Sequence, residues 1–250
     1  MNSVESESSG ADKPGFATTH WSLVAAAGDL EGERARGALE DLCSRYWYPL
    51  YAWLRRSGDG HDDAQDLVQA FLMELIEHRR LALADRERGR FRSFLLASLK
   101  NFRANNYRRE SSQKRGGGKS HLSIDFSGAA DTYSCEPYHD LTPDTLYDRK
   151  WALQLIERSM QKLEASARER GRESLFDSVR PVLSGVGNES GYQEIADQLD
   201  MSVGAVKVAV HRWREQLRAT IREEIRQTVA TDDEVDGELD HLFRILAGGG

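Results

Sequence analysis

The stretch from Ser190 to Leu217 constrains the fold of this chain more than any other, because its pattern predicts two helices joined by a tight corner. Ser190 and Gln193 have the spacing of a capping box for the first helix, and Ser202 is a suitable N-cap for the second. Apolar residues of the second helix recur at steps of four, three and four, at Val206, Val210, Trp213 and Leu217. Its opposite face is basic and carries Lys207, His211, Arg212, Arg214 and Arg218. Such a helix fits a DNA major groove, so the pattern predicts a helix-turn-helix.

An ordinary helical hairpin with a solvated basic face is the alternative interpretation of this stretch. Exposed helices usually carry some Lys and Arg on their polar face, so basic residues alone do not indicate DNA binding. Features elsewhere in the chain are therefore needed to distinguish the two interpretations.

The composition favours a largely helical protein. Of 250 residues, 30% are charged and only five are proline, and runs of β-branched residues are scarce. Cys43 and Cys135 lie far apart, which argues against a disulfide framework and a zinc site. The polar N-terminus predicts no signal peptide, and no apolar run approaches membrane-spanning length. We therefore expect a cytoplasmic protein without a membrane segment.

The charge is unevenly distributed along the chain. The formal net charge is −7, yet the segment from Arg86 to Lys119 carries eleven basic residues against two Glu, a local charge of +9. The segment from Asp232 to Asp240 carries six acidic residues and no basic one. Proteins that bind DNA unaided owe much of their affinity to phosphate neutralisation. An acidic chain with one concentrated basic segment is therefore expected to reach DNA with a partner.

The basic segment includes a predicted helix from Phe91 to Arg109. Basic residues and an aromatic residue are interspersed along it, at Arg92, Lys100, Arg103, Tyr107 and Arg108. Cations that pair with phosphates and rings that stack on bases are the combination that suits single-stranded DNA. A solvated helix face with a half-packed tyrosine is the alternative.

The predicted helix before it begins at Asp62 and Asp63, and its outer face is polar rather than basic. Leu67, Phe71 and Leu75, or alternatively Leu72 and Ile76, face inward at helical spacing. Asp66, Gln69 and Glu74 stay outside. These polar residues are either solvated or form a contact surface for another protein. His61 and the neighbouring aspartates lack further ligands that would complete a metal site, so no metal and no cofactor is expected.

Helix signals and breaks divide the chain into an all-α protein of two helical domains joined by a flexible linker. The predicted segments are a disordered N-terminus (1–15), a first helical domain (16–112), a linker (113–141), a second domain that contains the helix-turn-helix (142–230) and an acidic extension with a short apolar helix (231–250). Thr142 and Pro143 form a helix start in the second domain. The acidic extension is expected to be solvated, with folding over the basic surfaces as the alternative.

In this order the motifs resemble the extracytoplasmic-function (ECF) sigma factors of bacterial RNA polymerase, over roughly residues 16 to 230. The segment Asp62–Phe71 is similar to the helix of that family that binds the polymerase clamp. The segments Gly89–Leu95 and Asn101–Arg109 resemble its strand-opening and minus-ten recognition region. Residues Tyr192–Ala196 and Ser202–Lys207 are similar to its minus-thirty-five reader, with Asp200 at a corner position that is often Gly. The chain as a whole resembles a longer-tailed subgroup.

The resemblance implies a first domain of the sigma region 2 type and a second domain of the winged-helix-like, sigma region 4 type. It implies core RNA polymerase and promoter DNA as partners, and an anti-sigma factor is a further candidate. The implied polymerase-binding residues are Asp66, Leu67, Gln69 and Phe71. The implied minus-ten, single-strand contacts are Arg86, Arg88, Arg90, Arg92, Lys100, Asn101, Arg103, Tyr107, Arg108 and Arg109. The implied minus-thirty-five contacts are Ser202, Lys207, His211, Arg212 and Arg214.

The functional expectation is a sigma factor that binds core polymerase and directs promoter recognition and DNA melting. A free-standing helix-turn-helix regulator and an adaptor that binds only proteins are the alternatives. No nucleophile–base pair, phosphate-binding loop or metal-ligand set occurs in the sequence, so we expect no enzyme.

Overall fold

The computed structural model describes residues 33–77, 90–112, 128–134, 140–183 and 189–248. Every regular element within these ranges is an α-helix, which confirms the all-α prediction. The helices are α1 (Glu33–Arg56), α2 (His61–Glu77), α3 (Phe91–Ser112), α4 (Ala129–Ser134), α5 (Pro143–Glu169), α6 (Glu173–Leu183), α7 (Glu189–Gln198), α8 (Val203–Arg226) and α9 (Asp233–Leu246). Within those ranges, no helix combines the length and the apolar character needed to cross a membrane.

Local signals position the two longest helices of the second half, as the sequence predicts. Thr142 caps α5, its Oγ1 accepting from the backbone N–H of Thr145 at 3.2 Å, and Pro143 occupies the first helical position. Ser202 caps α8 in the same way, accepting from the N–H of Ala205 at 3.2 Å. Because both helices are long, each contributes to two clusters of buried side chains.

The first of these clusters, here called the first core, joins the N-terminal helices to parts of the C-terminal half. It contains residues of α1, α2 and α3 together with the N-terminal half of α5, the C-terminal end of α8, and α9. Tyr46, Tyr51, Phe91, Tyr147 and Trp151 are its largest fully buried members. Residues from both predicted domains therefore meet in one core, and the division into two domains stays a prediction.

The second core lies between the rest of α5, α6, α7 and the N-terminal half of α8. Its members include Phe176, whose ring meets that of Trp213 edge-on at 5.0 Å between centroids. Val206, Val210 and Trp213 are buried as their spacing predicts, whereas Leu217 is half-buried. This core fixes the angle at which α8 presents its basic face.

A buried carboxylate connects α8 to α1 and α5. Glu224 is 1% exposed, and its Oε2 accepts from Arg45 Nη1 at 3.0 Å. Its Oε1 accepts from Lys162, and Arg158 Nε lies 3.9 Å from Oε2. A buried charge is tolerated only when it is paired, so these cations make the docking of α8 against α1 and α5 specific.

Two details differ from the sequence-based predictions. Residues 129–134, assigned to the linker without a helix, form α4, and Ala129 is buried in the first core; six residues are too few to show a helical period. Helix α7 begins at Glu189, so Ser190 lies inside it and is not the N-cap, and the Gln193 amide donates to Asp197 Oδ1 at 2.8 Å. Thr18 or Thr19 is a suitable N-cap for a short predicted helix that reaches Val24, and this segment lies outside the described residues.

The acidic extension is the largest difference, because it was expected to be solvated. Instead, the acidic residues form the first turns of α9, and Val235 and Leu242 enter the first core. Carboxylates near a helix N-terminus are stabilised by the positive end of the helix dipole, which favours a helix in this acidic segment.

Candidate nucleic-acid interface

The basic helix α3 presents an aromatic ring that is fixed at its polar end. The Tyr107 hydroxyl donates to Asp59 Oδ1, while the side chain is 48% exposed. Arg103 holds the same carboxylate from the other side, with Nε 2.9 Å from Asp59 Oδ2, and its guanidinium carbon lies 5.1 Å from the Tyr107 ring centroid. Asp59 itself is buried in the turn between α1 and α2. The ring is thus held in place while about half of the side chain stays open to solvent, an arrangement that suits a stacking platform.

The partners of Tyr107 also alter its acidity. The hydrogen bond to Asp59 and, second, burial raise the pKa of the Tyr107 phenol above its ordinary value. The hydroxyl therefore stays protonated and remains a donor to Asp59 at physiological pH.

About two turns before Tyr107, a second basic group is held next to an aromatic ring. Lys100 Nζ donates to Asp144 Oδ2 at 2.6 Å and lies 5.7 Å from the Trp53 ring centroid. Trp53 Nε1 donates to the other oxygen of Asp144 at 2.8 Å. Burial opposes ionisation of Asp144, but the hydrogen bonds from Lys100 and Trp53 outweigh it and lower the pKa of this carboxyl. Because Lys100 and Asp144 are both about half-exposed, this pair is open to competition by a phosphate.

The start of α3 is in a different environment, because α9 covers it. Arg92 is 3% exposed and donates through Nε to Glu238 Oε1 at 2.6 Å and through Nη1 to Asp148 Oδ1. Arg90 Nε lies 2.8 Å from the other oxygen of Glu238. Burial lowers the pKa of Arg92, but Glu238 and Asp148 more than offset this and raise it above its ordinary value, so the guanidinium is charged. Arg92, a predicted single-strand contact, is therefore not accessible to DNA here.

The other predicted single-strand contacts divide into two groups. Asn101 and Arg108 are exposed on α3. Arg86 and Arg88 and the side chain of Arg109 lie outside the described residues.

The corner between α7 and α8 presents the basic face of α8. Asp200 adopts a left-handed conformation with φ of 51°, and the N–H of Met201 donates to the Ala196 carbonyl at 2.9 Å, which closes the end of α7. Lys207, His211, Arg212 and Arg214, the predicted duplex contacts, are all exposed. The Ser202 hydroxyl is exposed as well, but it already accepts the capping hydrogen bond.

Two further arginines, which the sequence analysis did not single out, lie beside this face. Arg170 and Arg172, at the turn between α5 and α6, border an open groove of about 420 Å³ together with Arg212, Val208 and Trp213. The only sequence signal for them is the dense basic run Arg168, Arg170, Arg172, and nothing in that run shows that it folds next to α8. They extend the basic surface beyond one helix.

The predicted polymerase-binding residues on α2 do not share one face. Asp66 is exposed and Gln69 is half-exposed, but Leu67 and Phe71 are 8% and 2% exposed and belong to the first core. Leu67 and Phe71 are therefore buried in this structure, because their four-residue spacing turns both toward α1 and α3, and their contact with polymerase stays a prediction. The accessible polar surface of α2 includes Asp62, Asp63 and Asp66.

No protein-family model, curated protein or solved structure matches this chain. Among the described residues, no group of three or more His, Cys, Asp or Glu side chains is arranged to hold a metal ion.

Proposed function

We propose that this chain is a sigma factor of the extracytoplasmic-function type, which binds core RNA polymerase in the cytoplasm and directs promoter recognition and DNA melting. The observation that carries the proposal is the presence of two separate basic surfaces of different character on one acidic chain. The α3 surface joins Lys100, Asn101 and Arg108 to the fixed ring of Tyr107, and the α8 surface consists of cations on a capped helix.

The α3 surface is suited to an unpaired strand. Extruding a base from a duplex costs a few kcal/mol, and stacking on an aromatic side chain returns about 1–3 kcal/mol per base. The Tyr107 ring supplies that stacking, and because Asp59 and Arg103 already order it, little side-chain entropy is lost on binding.

The α8 surface is suited to a duplex. Lys207, His211, Arg212 and Arg214 are exposed side chains of a helix whose N-terminus follows a tight corner, and helices of this kind enter the major groove. Arg170 and Arg172 beside the groove add cations for the phosphate backbone.

The net charge of −7 supports a role as a subunit rather than as a solitary DNA binder. Long-range repulsion between an acidic protein and DNA opposes association, and a polymerase that holds both removes that barrier. Asp66 and Gln69 on α2 are the contacts that we assign to the polymerase, and an anti-sigma factor is a further candidate partner. No catalytic step is assigned to the chain itself.

Run-off transcription with purified core polymerase tests the proposal. We expect transcripts from specific start sites with the wild-type chain, a large loss with Tyr107→Ala, and a loss with the double variant Lys207→Ala and Arg212→Ala. Arg168→Gln is the matched control, because Arg168 is an exposed cation that pairs with Glu164 and Glu173. Absence of any specific transcript, with binding to core polymerase also absent, would refute the proposal.

A free-standing helix-turn-helix regulator is the second candidate, and the cations around the α8 groove favour it. The two candidates differ in what the chain does alone. Tight, specific binding of duplex promoter DNA without polymerase in a gel-shift assay supports the regulator, and weak or unspecific binding supports the sigma factor.

A further inference from the structure

The acidic helix α9 occupies the two arginines that begin the basic helix α3. Glu238, which is fully buried, places one carboxylate oxygen 2.6 Å from Arg92 Nε and the other 2.8 Å from Arg90 Nε. A carboxylate gripped by two guanidinium groups uses the donors that a phosphate would use, because both anions suit the planar fork of arginine. Glu238 therefore stands where a strand phosphate would bind these arginines.

The remainder of α9 is fastened at both ends by residues of α5 and α8. At the N-terminal end, Arg226 Nε pairs with Asp232 at 2.8 Å, and Arg222 pairs with Asp236. At the C-terminal end, Arg149 Nη1 donates to the carbonyls of Ile245 and Leu246 at 2.9 and 3.1 Å. The N-terminal pairs are exposed and weakened by salt, whereas the Arg92–Glu238 pair is shielded from solvent.

The ion pairs that α9 makes with Arg90 and Arg92 lie at the N-terminal end of the same helix that carries the Tyr107 ring. The N–H of Phe91 donates to the Thr228 carbonyl at 3.0 Å, and the Tyr147 hydroxyl donates to the Arg92 carbonyl at 3.0 Å. The first turn of α3 is thus held by the C-terminal half, while Lys100 and Tyr107 remain at the surface further along the same helix. A strand that follows α3 from Tyr107 toward its N-terminus meets Glu238 instead of free arginines.

We propose that α9 is an autoinhibitory helix that competes with single-stranded DNA for Arg90 and Arg92, so that strand binding requires α9 to leave the first core. This inference rests on the proposed function, because it assigns a regulator to the same α3 surface. When α9 leaves, Arg92 keeps Asp148 as a partner and Arg90 loses its carboxylate. Both guanidinium groups can then donate hydrogen bonds to a phosphate. The apolar residues Val235 and Leu242 return to solvent at the same time, which keeps the closed state favoured in the isolated chain.

The size of the effect follows from the population of the open state. A minor conformation that is about 0.1–10% populated lowers the apparent affinity of its ligand by the same fraction, here about 10- to 1000-fold. Preventing the release of α9 should therefore abolish strand binding, and favouring the release should strengthen it by about tenfold or more.

A covalent link that holds α9 closed in the full-length chain tests the proposal without deleting part of the core. In a background with Cys43→Ala and Cys135→Ala, cysteines replace the exposed pair Arg222 and Asp236, and a short bismaleimide links α8 to α9. The matched control places cysteines at Glu164 and Arg168, an exposed ion pair within α5, so that the same reagent links two residues of one helix. Glu238→Gln is the opening variant, and far-UV circular dichroism verifies that each protein is folded.

Binding of fluorescein-labelled oligo(dT), read by anisotropy, is measured for every form, and run-off transcription with core polymerase is measured in parallel. The proposal predicts at least about tenfold weaker oligonucleotide binding and fewer transcripts after the α8–α9 link, no change after the α5 link, and tighter binding by Glu238→Gln. Equal oligonucleotide binding by linked and unlinked chains overturns the autoinhibition, whatever the transcription result.

The parallel transcription assay separates the two proposals. If the linked and unlinked chains start equal numbers of transcripts, the sigma-factor function stands and the autoinhibition falls. If no form binds core polymerase or starts a transcript while the oligonucleotide still distinguishes closed from open chains, the proposed function falls and the competition by α9 stands.

Discussion

Arg92 and Glu238, which are 146 positions apart in the sequence, form a buried ion pair with Nε 2.6 Å from Oε1. The pair joins the first turn of α3 to the middle of α9, and Asp148 of α5 completes it. Removing one partner of a buried pair leaves the other charge without compensation, which is far more destabilising than losing a surface pair.

We predict that Glu238→Gln lowers the free energy of unfolding by about 3 kcal/mol, because Arg92 keeps Asp148 but loses its buried carboxylate partner. Urea unfolding followed by circular dichroism measures this change. Asp236→Asn is the matched control, since Asp236 lies on α9 like Glu238 but pairs with Arg222 of α8 at the surface. We expect almost no change in the free energy of unfolding for this variant. Equal effects of the two substitutions would show that the Arg92–Glu238 pair is not buried in solution.

For Tyr107, we predict that the ring and the hydroxyl have separable roles. Tyr107→Ala should weaken oligo(dT) binding by the opened chain about 5- to 150-fold, the equivalent of about 1–3 kcal/mol of lost stacking. Tyr107→Phe keeps the ring, and Asp59 keeps Arg103 as its partner, so a much smaller loss is expected. Fluorescence anisotropy measures both variants in the Glu238→Gln background. An equal loss in both would mean that the hydroxyl, not the ring, makes the contact.

The Lys100–Asp144 pair predicts a pH dependence. The pKa of Asp144 is lowered in the folded chain, so the stability that this pair contributes is present above the unfolded pKa of about 4 and is lost as pH falls through the lowered folded value. Lys100→Met should therefore destabilise the chain near neutral pH and make no difference once Asp144 is protonated. Urea unfolding of both proteins across the acid range measures the difference, with Lys100→Arg as the charge-conserving control. A difference that persists in strong acid would contradict the assignment.

At the corner before α8, we predict that substitutions of Asp200 change the free energy of unfolding by different amounts. Asp200 has a positive φ, which Asn adopts readily and Ala does not. Asp200→Ala should lower the free energy of unfolding by about 1 kcal/mol, and Asp200→Asn should leave it nearly unchanged. Thermal unfolding separates the two, and identical melting temperatures would show that the corner is not left-handed.

The role of Ser202 can be divided between capping and DNA contact. Ser202→Ala removes the acceptor for the Ala205 N–H and should cost about 1 kcal/mol of stability, whereas Ser202→Asn restores a good N-cap. If the hydroxyl serves only as a cap, promoter-dependent transcription at a temperature where both variants are folded should equal that of the wild type. Loss of transcription by the stable Asn variant would assign a DNA contact to Ser202.

The elements that the sequence predicted well are those whose signals are local. Pro143 at the start of α5 and the cap of Ser202 both follow from neighbouring residues. Helix α4 was missed because six residues give no measurable period.

The candidate site was predictable only where its partners are near in sequence. The basic faces of α3 and α8 follow from helical spacing, but nothing near Arg92 in the chain indicates that Glu238 buries it. The support of Tyr107 by Asp59, 48 positions away, and the position of Arg170 and Arg172 beside α8 likewise depend on tertiary packing. Leu67 and Phe71 show the reverse case, because a motif resemblance suggested a contact where the four-residue spacing already predicted burial.

Detection of unpaired thymines in promoter DNA by permanganate tests the central claim most directly. We predict reactive thymines around a transcription start site only when the chain and core polymerase are both present, and their loss with Tyr107→Ala. Promoter DNA that stays fully paired in the presence of both proteins, with the Glu238→Gln chain included, would contradict the account.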